Sequence, residues 1–188
     1  FSKTAFKRLN IMKLNDYTCG DYTPGNKLKI GLWLLFSYVF FETKIPFPSS
    51  FKCKILRLFG ANLGKGVVIK PSVKIKYPWF LTIGSYSWIG EKVWIDNLVN
   101  VKIGTNCCLS QQAYILTGNH DFRDDKFSLI TGEVELQEGV WVGAKAIVAP
   151  SVILHINSVL CAGSLATQSL KENTVYIGVP AKERGERY

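Results

Sequence analysis

Paired cysteines, long apolar runs and histidines are what this 188-residue sequence has least of. Its five cysteines (Cys19, Cys53, Cys107, Cys108, Cys161) form no CxxC pair and are odd in number. Nothing in the residues given resembles a secretory signal with a cleavage site, so reduced thiols in a cytoplasmic protein are the expectation. The most apolar run, Ile30 to Phe41, falls well short of the roughly 20 residues that span a bilayer. Only two histidines are present, His120 and His155. Catalytic zinc generally takes three protein ligands, and the adjacent Cys107 and Cys108 alternate faces on a strand, so no metal site is expected.

Charge is also missing where a basic protein would be expected to carry it. The net charge is +9, yet residues 1–62 hold +7 of it and residues 63–188 only +2. A nucleic-acid binder is the first guess for such a chain, but the basic residues are scattered among aromatic and aliphatic ones with no reading motif. That mixture suits an anionic membrane surface or an acidic partner, with a solvated positive face as the alternative. No nucleic-acid partner is expected. At 47% hydrophobic and 20% charged residues the composition is globular, and the length suits one domain.

What is present is a repeat. From Leu63 an aliphatic residue recurs every sixth position: Leu63, Ile69, Ile75, then, after two extra residues, Ile83, Ile89 and Ile95. Two more inserted residues precede Ile103, Leu109 and Ile115; the pattern breaks at Asn119 and resumes at Leu136, Val142, Val148, Leu154 and Leu160, with Ala166 a weaker last step. The next position is often small (Gly64, Gly84, Gly90, Gly104, Gly143), as a tight corner would favour. Four residues after the aliphatic stands a second inward candidate, such as Val73, Ser87, Val93, Val99, Cys107, Ala113 or Ser158. This period fits neither an amphipathic helix nor an alternating strand. It fits a solenoid of short strands and corners, three faces to a coil, with parallel strands about 4.8 Å apart. The coils read 63–80, 83–100, 103–118, 136–153 and 154–171.

Several stretches carry a family likeness: LRLFGANLGKGVVIKP (56–71), KYPW (76–79), WIDN (94–97), LTGNHDF (116–122), EGVWVGAKAIVAPSV (138–152) and IGVPAK (177–182). On these the chain resembles the hexapeptide-repeat acyltransferases, in particular sugar O-acetyltransferases of the colanic acid biosynthesis type. The resemblance implies an all-β fold, a left-handed parallel β-helix, assembled as a homotrimer. The expected organisation is an N-terminal helical capping segment (1–62), the β-helix (63–171) with an inserted loop (119–135), and a C-terminal extension (172–188).

The resemblance also implies chemistry. The family's catalytic histidine stands at the root of such a loop, which points to His120 as general base; removing a hydroxyl proton near neutral pH suits an imidazole. A turn histidine is the alternative, and His155, in a regular repeat, reads as structural. Asp96 and Asn97 stand where relatives bind acceptor hydroxyls, with an Asx-type corner turn as the alternative. Acetyl-CoA is the implied acyl donor. Trp141, Gly143 and Ala144 on one coil and Ala162 and Gly163 on the next match the family's pantetheine wall, where small residues admit an extended arm. Thr167 is followed by Gln168 where relatives often carry lysine, so Lys182 and Arg184 are the expected phosphate partners.

The implied activity is an acetyl-CoA-dependent O-acetyltransferase acting on a sugar hydroxyl of an exopolysaccharide or capsule precursor. An amine acceptor (amino sugar or antibiotic) and a non-catalytic trimeric scaffold remain open alternatives. Residues 28–41 and 50–59 are expected to be helices that cap the first coil, or that touch the inner membrane face through residues 28–59; in the second, Phe51, Ile55, Leu58 and Phe59 fall on one side and Lys52, Lys54 and Arg57 elsewhere. Residues 1–24 are expected to be poorly ordered or extended, with no chemistry assigned to them.

Overall fold

The computed structural model describes residues 11–188, so the expectation for residues 1–24 lies outside the described residues where it concerns residues 1–10. The six-residue period becomes a parallel β-helix of three faces. The first face stacks Asn62–Leu63, Leu81–Ile83, Val101–Ile103, Val134–Leu136 and Ile153–Leu154 in order. The second stacks Val68–Ile69, Trp88–Ile89, Cys108–Leu109, Trp141–Val142, Val159–Leu160 and Thr174–Ile177, and Lys182–Glu186 folds back antiparallel on the last of these. The third stacks Lys74–Ile75, Trp94–Asp96, Tyr114–Leu116, Ile147–Val148 and Leu165–Ala166.

Register pins every inward aliphatic on its counterpart one coil away, so Ile75, Ile95, Ile115, Val148 and Ala166 form a single column. All are buried, and their columns merge with the α-helical residues into one core. A one-residue slip would turn each column outward, and this fixes the register. Ser87 and Ser158 also lie inside; Ser87 Oγ reaches the Gly104 carbonyl and accepts from Cys107 N–H, which makes its burial tolerable. Val99, expected inside, is only half-buried, because the corner there is reshaped and Leu98 is buried in its place.

The small residue after each aliphatic has a different cause from tight corner geometry. A Cβ on Gly84 would stand 2.5 Å from the Gly104 carbonyl carbon, and one on Gly143 2.4 Å from Ala162 N. Close stacking of coils excludes side chains there. The left-handed backbone falls two residues further on, at Ser72, Tyr86, Lys92, Asn106, Gln112, Lys145 and Asn157 among others.

Two helices precede the coils: α1 (Lys27–Phe40) and α2 (Ser49–Leu58). The Asn26 side chain caps α1 by accepting from Leu28 and Lys29 N–H. The first coil leaves strand edges with nothing beneath them, and the helices supply the missing partners. Arg57 donates to the Leu63 and Gly64 carbonyls, Lys52 Nζ to that of Lys70, and Trp33 Nε1 to that of Ile75. Lys52, expected on the outer side of α2, is therefore buried, and burial lowers its pKa. Leu58, expected on the packed side, is exposed.

Candidate functional site

In the first three coils the corner after the third face is irregular, and the expected site residues gather there. The first coil makes it with a 3-10 turn at Pro78–Phe80, the second with Asp96 to Asn100, and the third throws out the loop. That loop is a hairpin, Gly118–His120 paired antiparallel with Leu129–Thr131, so His120 sits opposite Leu129 at its outer end.

The imidazole is half-buried and held on three sides. Phe127 lies flat against it at 4.2 Å and 4°, and Tyr17 meets it edge-on at 5.5 Å and 62°. Nδ1 lies 2.8 Å from the Phe127 carbonyl oxygen. A carbonyl only accepts, so in the neutral ring the proton is on Nδ1 and the lone pair is on Nε2. Phe127 has φ +53, a costly conformation for an aromatic residue, and it is this backbone whose carbonyl meets the ring. Asp121, next to His120 in sequence, turns to its own loop: its Oδ1 accepts from Arg123 N–H and shapes that turn. Asp124 does the same for Lys126 N–H and bonds the Ser128 hydroxyl, and these contacts hold its carboxyl below the usual range.

Residues 11–24, expected to be poorly ordered or extended, cross this corner. Lys13 N–H bonds the Asp125 carbonyl, Tyr17 touches His120, Tyr22 Oη donates to the Leu98 carbonyl, and Trp79 Nε1 donates to that of Pro24. Burial, with Tyr77 and Asp96 nearby, pushes the Tyr22 phenol well above its ordinary range. Tyr22 follows Tyr17 by five positions, so the strap's contacts with the histidine and with the Asp96 corner spring from Cα atoms at most about 17 Å apart.

Asp96 and Asn97 part company. Asn97 is fully buried: its Oδ1 accepts from Lys76 and Tyr77 N–H, and its Nδ2 donates to the Tyr77 carbonyl. All its hydrogen-bonding capacity but one donor is spent on the coil beneath, so it is a corner residue with no group directed at an acceptor. Asp96 stays available. Its Oδ1 is 3.1 Å from Lys76 Nζ but forms no well-aligned hydrogen bond, and Trp94 Nε1 is buried without a partner. Both line a cavity of about 240 Å³ under α1, with Lys74, Lys76, Tyr77 and Glu42. Trp94 stacks on Tyr114 at 4.5 Å, and burial with Asp96 close by pushes the Tyr114 phenol up to about 12.

The residues expected to line the donor wall lie at another corner, after the second face. Gly143 N–H bonds the Leu160 carbonyl and Gly163 N–H that of Ala144, which stacks Gly143–Ala144 on Ala162–Gly163. Trp141 projects from the same edge, half-exposed, and its Nε1 donates to Ser110 Oγ at 2.9 Å. Thr167 and Lys182 are exposed close by, since Ala181 N–H bonds the Leu165 carbonyl; Arg184 is exposed on the last strand. Within one chain the structure does not bring His120 and this wall to a common corner. His155 stays structural, Nδ1 3.2 Å from Gln137 Oε1.

Tyr17, Tyr22, Phe127 and Trp94 were not among the residues singled out from sequence. Trp94 alone left a signal, an outward position two residues before Asp96; a tyrosine in an aperiodic segment carries none.

No family model matches the chain. A putative colanic acid biosynthesis acetyltransferase of Escherichia coli K12 is 37% identical over 166 residues, 88% of this chain and 91% of that protein. Among solved structures, a maltose O-acetyltransferase from Clostridium difficile 630 aligns with TM-score 0.77 at 20% identity, covering 86% of this chain and 89% of that one. A hexapeptide-repeat acetyltransferase from Vibrio cholerae, solved with acetyl coenzyme A, aligns with TM-score 0.75 at 17% identity, covering 86% and 87%.

Proposed function

The chain belongs to the hexapeptide-repeat acetyltransferases, and from that premise we propose that it acetylates a sugar hydroxyl of an exopolysaccharide or capsule precursor using acetyl-CoA, with His120 as general base. The observation that carries this reading is the tautomer: the Phe127 carbonyl claims Nδ1–H and leaves Nε2 as a lone pair on a ring fixed by Phe127 and Tyr17. The identity to a colanic acid biosynthesis acetyltransferase supports the substrate class.

In this reading both substrates are bound before any bond changes. Nε2 takes the acceptor hydroxyl proton as its oxygen attacks the acetyl carbonyl carbon. The tetrahedral oxyanion is met by a backbone N–H or polar side chain. The C–S bond then breaks, and the sulfur of coenzyme A leaves with the proton returned from His120, so the ring ends neutral. No cysteine or serine nucleophile takes part. Asp96 holds the acceptor, Trp141 packs on the pantetheine end, the Gly143–Ala144 and Ala162–Gly163 backbone admits the arm, and Lys182 and Arg184 meet the phosphates with Thr167 nearby.

The separation of His120 from the donor wall within one chain supports the homotrimer: a cleft shared by neighbouring protomers brings the histidine of one to the wall of the next. The test is thiol release from acetyl-CoA across a panel of sugars, nucleotide sugars and lipid-linked glycans, with His120→Ala as control. Thiol release that needs a hydroxylated acceptor and disappears in the variant is the expected result. Acceptor-dependent release that survives in His120→Ala removes the assignment.

A further inference from the structure

α1 is anomalous for a helix at a protein surface. Its buried side holds Trp33 and Ser37, with Ile30, Phe36 and Phe40 partly covered, and its outer side is apolar too. Leu28, Leu32, Leu35 and Val39, spaced as one face of a helix, are 41–73% exposed. Leu34 and Tyr38 widen this stripe. The only charged residues of the helix are Lys27 and Lys29, at its N-terminal end. A helix apolar on all sides is normally covered on all sides, and the described residues cover only one.

Charge indicates what completes the cover. The basic excess of the molecule lies in the same third of the chain, where residues 1–62 carry +7. Exposed Lys27 and Lys44 flank the helix, and α2 exposes Lys54 and Arg57. Pairing this face with its own copy would oppose like charges, whereas an anionic headgroup layer complements them. At 14 residues, about 21 Å, the helix is too short to cross a bilayer and suited to lying in its interface.

We propose that the outer face of α1 docks flat on an anionic lipid bilayer, with Leu28, Leu32, Leu35 and Val39 in the acyl boundary and the neighbouring lysines among the headgroups. Leu34 both shares this exposed face and lines the cavity that holds Trp94 Nε1, without a partner among the described residues, and the Asp96 carboxylate beside Lys76 Nζ. A sugar carried on a lipid therefore reaches that cavity from the docked side. The docking itself does not depend on the acyl-transfer chemistry.

Co-sedimentation of the full chain with phosphatidylcholine vesicles containing roughly one-third phosphatidylglycerol tests this, beside pure phosphatidylcholine vesicles. Binding is expected to the anionic vesicles and to fall at high salt. The double substitution Leu28→Glu/Leu35→Glu should weaken it at least about tenfold. Sedimentation velocity and acetyl-CoA calorimetry on the same variant should be unchanged, showing that fold, assembly and donor site persist. Failure of the unaltered chain to bind anionic vesicles overturns the proposal, as does undiminished binding by the variant. A variant that dissociates into smaller assemblies also overturns it, because the stripe is then an interface between copies. A variant that misfolds is replaced by Lys27→Glu/Lys44→Glu, which must lose binding as well.

Discussion

The coils from residue 63 onward and the residues before them solve opposite problems. In the coils each side chain's neighbour is its own equivalent one turn away, so burial follows from the six-residue period alone. Among the described residues before Asn62 none has an equivalent one coil away, and each contact is particular: Arg57 on two carbonyls, Trp33 on one, Tyr17 on one imidazole. Periodic order yields a scaffold, and the proposed function places the acceptor chemistry where the period fails, at the third corner beside the strap that crosses it. Substitutions should accordingly separate scaffold from site.

The largest separation is expected at His120. His120→Ala should lower turnover by about 10²–10⁴-fold while the thermal midpoint stays within a degree or two, because the half-buried ring lies outside the columns. Steady-state rates and a melting curve on one preparation check both halves.

The reverse separation belongs to the core. Ile95→Ala leaves a cavity in a fully buried column and should cost about 2–5 kcal/mol. Leu35→Ala, on the uncovered side of α1, should stay within about 0.5 kcal/mol in the absence of lipid. Gly84→Ala joins the costly class, since the new methyl must displace the Gly104 backbone. Chemical denaturation orders the three, and equal costs for Ile95→Ala and Leu35→Ala would dissolve the distinction.

The same distinction explains what the sequence disclosed. Fold and coil phase were legible because Leu63 to Ala166 report one geometric fact many times over. His120 stood out because a single interruption of the period isolates it; its role as base is part of the proposed function. Asn97 was ambiguous because an acceptor ligand and a corner residue need the same amide; its bonds to Lys76 N–H, Tyr77 N–H and the Tyr77 carbonyl favour the corner. Lys52 was misplaced because a lysine signals solvent by default, and nothing local announces that the Lys70 carbonyl needs a donor. Tyr17 and Phe127 left no signal, since contacts made once leave no pattern.

A smaller effect, confined to alkaline pH, tests the scaffold's interior. Burial pushes the Cys107 thiol up to about 11, and the thiol donates to the Gln137 carbonyl. Its folded pKa lies above the unfolded value of about 9, so the folded chain keeps a proton that the unfolded chain has lost. This contribution is complete below pH 9 and is lost as pH rises through 11, with a slope of at most about 1.4 kcal/mol per pH unit. Cys107→Ala should flatten the dependence of stability on pH across that window; unchanged curvature would place the titration elsewhere.

The smallest effect should come from the strap itself. Tyr17 touches His120 edge-on but holds neither ring nitrogen, so its contribution is orientation, and such an aromatic contact is worth about 0.5–1.5 kcal/mol. Tyr17→Ala should lower kcat by roughly two- to tenfold, with Tyr17→Phe close to the unaltered chain because the edge contact survives. The KM for acetyl-CoA should not move, since the donor wall lies at another corner, and the thermal midpoint should hold because no column is opened. A loss of kcat in Tyr17→Phe as large as in Tyr17→Ala would transfer the role from the ring to the hydroxyl. An unchanged kcat in both would leave Phe127 as the sole support of the imidazole, and the strap would then be a cover for the corner without influence on the base.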